Sequence, residues 1–367
     1  MAREPLRDGD PSRVGRYRLT ARLGAGGMGV VYLGVVPDAP NQPDAEQASR
    51  AAVKVLRPEL ADDPEFRARF GREVAALMRV RGECTVRVIE ADTTSSRPFM
   101  VTEYAEGPSL SEYIDAYGPL GADMLYGLAT GLAEALSAIH AAGVVHRDLK
   151  PSNVILGQSG PKVIDFGIAQ TLDATSVTKT GMMVGSAGFM SPEQVTGRAG
   201  QAADIFAWAV TVAYAASGQP PFGTGESLAI LYRILHDAPD VAAVPETLRP
   251  LVMSALAKDP QRRPTADELL DQLANPAARH DRPARSVLDY TWPSTQPHSG
   301  QAVLSAPVSS APAVGRPRTG PPRASEPRVS RRRPEPSLLF EPARAAAARR
   351  RRLRPRGGLD PRRRQGH

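Results

Sequence analysis

The residues whose types and spacing can do chemistry fall in four places. Gly24-Ala25-Gly26-Gly27-Met28-Gly29 has the spacing G-x-G-x-x-G, in which absent Cβ atoms let backbone N–H groups approach phosphate oxygens. Lys54 lies inside the run Ala51-Ala52-Val53-Lys54-Val55-Leu56, where an ammonium must face solvent or meet a buried partner. Glu73 is the natural candidate for that partner. It follows Phe66 by seven residues, about 20° short of two helical turns, and so falls within the apolar stripe of Phe66, Phe70, Val74 and Leu77. The remaining two places are His146-Arg147-Asp148-Leu149-Lys150-Pro151-Ser152-Asn153 and, twelve residues after Asn153, Asp165-Phe166-Gly167.

The elements that must position these residues divide the chain into two textures. Residues 16–103 predict strands over Tyr17–Leu23, Val30–Val36, Ala51–Leu56, Val86–Ala91 and Phe99–Glu103, with one helix over Pro64–Val80. A β-branched run follows the glycines, so strand, loop and strand form a hairpin. A dinucleotide-binding fold would place a helix there. Residues 104–275 predict helices, the clearest carrying Leu125, Leu128, Leu132, Leu136 and Ile139 and ending ahead of Gly143. Pro37–Arg50 reads as a long surface loop.

Charge separates a third region. Residues 1–275 carry 26 Lys+Arg against 33 Asp+Glu, net −7, whereas residues 276–367 carry 20 Arg against 6 acids, net +14. The tail's 92 residues hold 15 Pro and only 12 Leu, Ile, Val and Phe, too few to build a core, which predicts disorder. One cysteine, Cys84, excludes an internal disulfide framework and reads as a small buried residue. The N-terminus is charged where a secretory signal would be apolar, and the longest apolar run, Ile205–Ala216, is 12 residues. The expectation is a cytoplasmic protein without a membrane anchor.

The glycine loop, A-V-K, a helix glutamate, H-R-D-L-K-P-x-N, D-F-G and Ser191-Pro192-Glu193, in this order, resemble the eukaryotic-type serine/threonine protein kinases, in their bacterial branch. The resemblance implies an α+β, two-lobed fold: an N-terminal extension over 1–15, a kinase domain over 16–275 divided at 103/104, and a Pro/Arg-rich tail over 276–367. It implies ATP as co-substrate, magnesium or manganese as the metal, and Ser/Thr hydroxyls of proteins as acceptors. The loop through Gly29 and Val30 would cover the phosphates, and Lys54, held by Glu73, would contact them. Asn153 and Asp165 would hold the metal, Asp148 would take the hydroxyl proton, and Lys150 would steady the γ-phosphate. Leu23, Val31, Ala52 and Ile155 would sandwich the adenine, Glu103 and Ala105 would offer it backbone hydrogen bonds, and Thr102 would gate the back of the pocket.

The same resemblance implies regulatory and structural roles. Thr178 and Thr180 match autophosphorylated threonines, Arg147 would receive such a phosphate, Glu193 would pair with Arg263, and Asp204 would brace the catalytic loop. A homodimer would serve phosphorylation in trans. Arginine clusters at 331–333, 349–352 and 362–364 suit nucleic acid or an anionic surface, a solvated linker, or a tail lying on the acidic core. The rival from another class is a catalytically inactive kinase-like scaffold or phospho-dependent binding module. It predicts damage at Lys54, Asp148 or Asp165, and all three stand intact.

Overall fold

The computed structural model describes residues 3–36, 50–166, 187–197 and 199–274, all within one compact unit. In the small lobe, β1 (Arg13–Val14), β2 (Tyr17–Ala25), β3 (Gly29–Val35) and β4 (Arg50–Leu56) precede α1 (Pro58–Ala61) and α2 (Pro64–Leu77). Two further strands, β5 (Val88–Asp92) and β6 (Phe99–Glu103), complete an antiparallel sheet in the order β1-β2-β3-β4-β6-β5. Alternation decides what each strand buries: Val53 and Val101 pack with Tyr17, Leu19 and Tyr32 behind the sheet, while Ala52 and Lys54 turn to the other face.

Helix α2 starts where its sequence says it should. Asp63 accepts hydrogen bonds from the backbone N–H of Glu65 and Phe66, and Pro64 occupies the first turn without losing a donor. Its stripe of Phe66, Phe70, Val74 and Leu77 is buried, and the helix ends three residues earlier than predicted.

The large lobe comprises α3 (Leu110–Tyr117), α4 (Ala122–Ala141), a second sheet of β7 (Val154–Gly157) and β8 (Gly160–Val163), then α5 (Pro192–Val195), α6 (Gln201–Ser217), α7 (Ser227–His236), α8 (Arg249–Ala255) and α9 (Ala266–Ala274). Helix α6 is apolar almost all round, so it can only be stable enclosed. It runs through the core against α4, where the Trp208 indole N–H donates to the Ala129 carbonyl at 2.9 Å. The one charged side chain buried along α6 is Asp204, 1% exposed. Among the described residues no helix is long and apolar enough to cross a membrane.

The extension expected ahead of residue 16 is packed on the small lobe: β1 pairs with β2, and Val14 is 5% exposed. Residues 275–367, and with them the tail, lie outside the described residues, as does nearly all of the Pro37–Arg50 loop.

Candidate active site

A cleft of about 520 Å³ opens between the lobes, a volume suited to a small-molecule co-substrate. Of the residues expected to hold the nucleotide, all but Val30 line it. Val30 is on the opposite face of β3 and packs against the cluster behind the sheet. Met100, Tyr104, Ser152, Ile164 and Phe166 also line the cleft, and sequence reasoning did not single them out.

The glycine loop is a tight turn in which Gly26 N–H donates to the Gly29 carbonyl at 2.9 Å. A Cβ on Gly29 would run into the Val55 carbonyl, so packing demands glycine there. Gly24, Gly26 and Gly27 differ: a Cβ on any of them meets nothing, and none has positive φ. Glycine at these three positions is therefore not a packing requirement, and it leaves bare backbone facing the cleft, which fits phosphate. Arg57, just past β4, holds the turn from outside through Nη2 to the Gly26 carbonyl at 2.9 Å and its own N–H to the Met28 carbonyl at 2.9 Å. Nothing in the sequence pattern points to Arg57.

Across the cleft, Asp148 and Lys150 form an ion pair, with Nζ 3.0 and 2.8 Å from the two carboxylate oxygens. Asn153 Nδ2 donates to the Asp148 carbonyl at 2.8 Å and to its carboxylate at 3.1 Å, which leaves the amide oxygen for a cation. Asp165 is the second oxygen donor. Among the described residues no three His, Cys, Asp or Glu cluster as a metal cage. Two oxygen donors beside a phosphate loop suit a hard divalent ion that completes its shell with phosphate and water.

One expected pairing is absent. Lys54 Nζ contacts Asp165 Oδ1 at 2.8 Å rather than Glu73, and Glu73 Oε1 stands 4.0 Å from Arg147 Nη1. Asp165, at φ 56°, brings its carboxylate to Lys54, and Arg147, at φ 65°, turns its guanidinium toward α2. Arg147, expected to receive a phosphate, thus already faces a carboxylate. Burial pushes the Asp165 carboxyl up, but the charge and hydrogen bond of Lys54, with the charges of His146 and Lys150, together outweigh it, and the net shift is downward.

The supports are in place around this site. The Asp204 carboxylate accepts from the N–H groups of His146 (2.8 Å) and Arg147 (2.7 Å) and contacts His140 Nε2 at 2.8 Å. Arg263 makes a two-pronged pair with Glu193, at 2.6 and 2.9 Å, with its own side chain fully enclosed. Ser191, where the resemblance leads one to expect alanine, caps α5: its hydroxyl accepts from Gln194 N–H and the Gln194 side chain accepts from Ser191 N–H. The same Gln194 donates through Nε2 to the Arg147 carbonyl at 2.8 Å, a link to the catalytic loop that the sequence did not reveal. Cys84 is 3% exposed and its thiol is pushed up to about 12, chiefly by burial, which fits an inert core residue. Thr178 and Thr180 lie outside the described residues.

Replacing Lys54 by Met removes the two largest influences that pull the Asp165 carboxyl down and leaves burial, which pushes it up, opposed only by the weaker ones of His146 and Lys150. Carboxyl-carbon NMR of Lys54→Met is expected to show Asp165 titrating at higher pH than in the unchanged protein. An unmoved titration would mean that Lys54 does not set the charge of Asp165.

The chain matches the model of the protein kinase domain over residues 17–273. It is 45% identical over 287 residues to a probable serine/threonine-protein kinase, PkwA, of Thermomonospora curvata, covering 78% of this chain and 38% of that one. It is 42% identical over 279 residues to the serine/threonine-protein kinase AfsK of Streptomyces coelicolor (strain ATCC BAA-471 / A3(2) / M145), covering 74% and 33%. The chain thus spans between a third and two-fifths of the length of these relatives. The crystal structure of the Mycobacterium tuberculosis PknI kinase domain superposes with a TM-score of 0.55 at 27% identity, covering 74% of this chain and 98% of that one. The fold, the cleft and these likenesses agree, and the chain belongs to the protein kinase domain family.

Proposed function

We propose that the protein is a serine/threonine protein kinase that transfers the γ-phosphoryl group of ATP, with magnesium or manganese as the metal, to Ser or Thr hydroxyls of proteins. The observation that carries this reading is the cluster of Asp148, Lys150 and Asn153 facing Lys54 and Asp165 across one cleft. Phosphoryl transfer asks the protein mainly for positioning and charge neutralisation, and these are the side chains that supply both. The printed names of the relatives and Lys150, two residues past Asp148, support hydroxyl over phenol acceptors.

The contacts support a role for each residue. The bare backbone of Gly24, Gly26 and Gly27 would bind phosphate oxygens, with Leu23, Val31, Ala52 and Ile155 around the adenine and Glu103 and Ala105 offering backbone hydrogen bonds. Asp165 and the Asn153 amide oxygen would hold the divalent ion, whose charge would offset that of the phosphates. The Asp148 carboxylate orients the acceptor hydroxyl and takes its proton as the oxygen–phosphorus bond forms. The bond from the γ-phosphorus to the bridging oxygen breaks, and ADP leaves with that electron pair. Lys150, already on Asp148, would steady the transferring group. Lys54 would move from Asp165 alone to the α- and β-phosphates.

The regulatory reading adds that Thr178 and Thr180 are autophosphorylated. A phosphate on either would compete with Glu73 for Arg147. A homodimer for transfer in trans and an anionic partner for the arginine clusters of the tail rest on the sequence alone. An inactive scaffold is disfavoured because no expected nucleotide, metal or base position is replaced.

Incorporation of γ-phosphate from Mg-ATP is expected to fall by about 10²-fold or more in Asp148→Asn, in a chain that stays folded. Equal incorporation by the two chains would end the enzyme reading. Phosphopeptide mapping after incubation with Mg-ATP is expected to find Thr178 or Thr180 occupied. Active enzyme with neither modified would end the regulatory one.

A further inference from the structure

The family model begins at residue 17, yet the preceding residues are built into the small lobe at the edge of the nucleotide cleft. Asp10 is the anchor. Its carboxylate, 5% exposed, receives Arg22 Nε at 2.6 Å and Nη2 at 2.5 Å, the Tyr32 hydroxyl at 2.7 Å and the Arg7 N–H at 2.8 Å. Four donors, two of them from one guanidinium fork, satisfy a buried carboxylate completely. Arg22 holds the carboxyl well below the usual carboxylate range, and burial, then Asp10, pushes the Tyr32 phenol up to about 12. The turn that presents Asp10 closes with Asp10 N–H on the Arg7 carbonyl at 3.0 Å, and Gly9 supplies its positive φ of 89°.

What Asp10 joins matters. Arg22 and Tyr32 stand directly opposite each other on β2 and β3, and the pairing shifts register immediately after them, where Leu23 and the glycine loop begin. Asp10 therefore clips the two strands together at the root of the phosphate loop. The chain ahead of it reaches the other side of the cleft mouth. Glu4 pairs with the Arg22 backbone, at 3.0 and 2.8 Å. Arg3 then lies over the Tyr104 ring, 5.5 Å from its centroid, donates to the Tyr104 hydroxyl at 3.2 Å and contacts Glu106 at 3.4 Å. Leu23 and Tyr104 both line the cleft.

We propose that residues 3–14 are a strap across the mouth of the nucleotide cleft, and that Asp10 is a positioning residue for ATP, acting through Arg22 on Leu23 and the glycine loop. This rests on the nucleotide reading above. The strap touches no residue assigned to proton transfer, so it acts on nucleotide affinity and leaves the chemical step alone.

The test compares full-length Asp10→Asn, Asp10→Glu and the unchanged protein, at a temperature at which circular dichroism shows each folded. Nucleotide binding is read by displacement of a fluorescent ATP analogue, and turnover by KM for Mg-ATP and kcat. Asp10→Asn is expected to raise the dissociation constant and KM about tenfold with kcat within about twofold, and Asp10→Glu, which keeps the charged fork contact, to recover most of that loss. If Asp10→Asn does not fold, Arg3→Ala carries the test, with binding expected to be about threefold weaker and melting unchanged. A lowered melting temperature with unchanged nucleotide affinity overturns the proposal, as does a loss confined to kcat. Failure of the unchanged protein to bind the analogue overturns the nucleotide reading itself, and the strap's role with it.

Discussion

A single carboxylate inside the large lobe organises the rest. Asp204 sits on an otherwise apolar helix with 1% of its surface exposed, a placement that is costly unless every lone pair is used. It is used by the backbone of His146 and Arg147 and by the ring of His140. The consequence is local and strong: Arg147 is held at φ 65°, a conformation that L residues with long side chains rarely adopt, and the next residue is Asp148. The His146 ring reaches back to the Ile164 carbonyl at 3.1 Å, next to Asp165. Asp148, proposed to accept the proton, and Asp165, proposed to hold the metal, thus both hang from one buried helix.

The small lobe is held differently, by strand pairing and edge contacts. Its sheet places Lys54 by register, opposite Val31 and Met100, and the glycine loop is held at its root by Asp10 and at its turn by Arg57. Between the lobes the charged groups meet in two contacts, Lys54 with Asp165 and Glu73 with Arg147.

Much of this was legible in the sequence, for reasons that are local. Alternation and β-branching marked the strands, and the 3.6-residue period marked α2 and α4, because those patterns reflect which face is buried. The glycine spacing, Lys54, Asp148, Asn153 and Asp165 stood out because their residue types are chemically constrained and each sits in its own short, recognisable local run. The partner of Glu73 was misjudged: its place in an apolar stripe was visible, but the choice between Lys54 and Arg147 depends on where α2 sits against the large lobe, which no short-range pattern encodes. Asp10 and Arg22 escaped notice for the same reason, as an ordinary surface-type pair twelve residues apart with no periodicity between them. Ser191 looked like a departure and is a helix cap.

If the buried carboxylate organises the site, its replacement by the isosteric amide should damage chemistry more than folding or nucleotide binding. An amide can present its oxygen to only one side, so at least one N–H of His146 or Arg147 would face a donor. The direct measurement is the rate of γ-phosphate transfer by Asp204→Asn under conditions where it is folded. The account predicts a fall of about 10²-fold with KM for ATP nearly unchanged. A rate equal to that of the unchanged protein would contradict it.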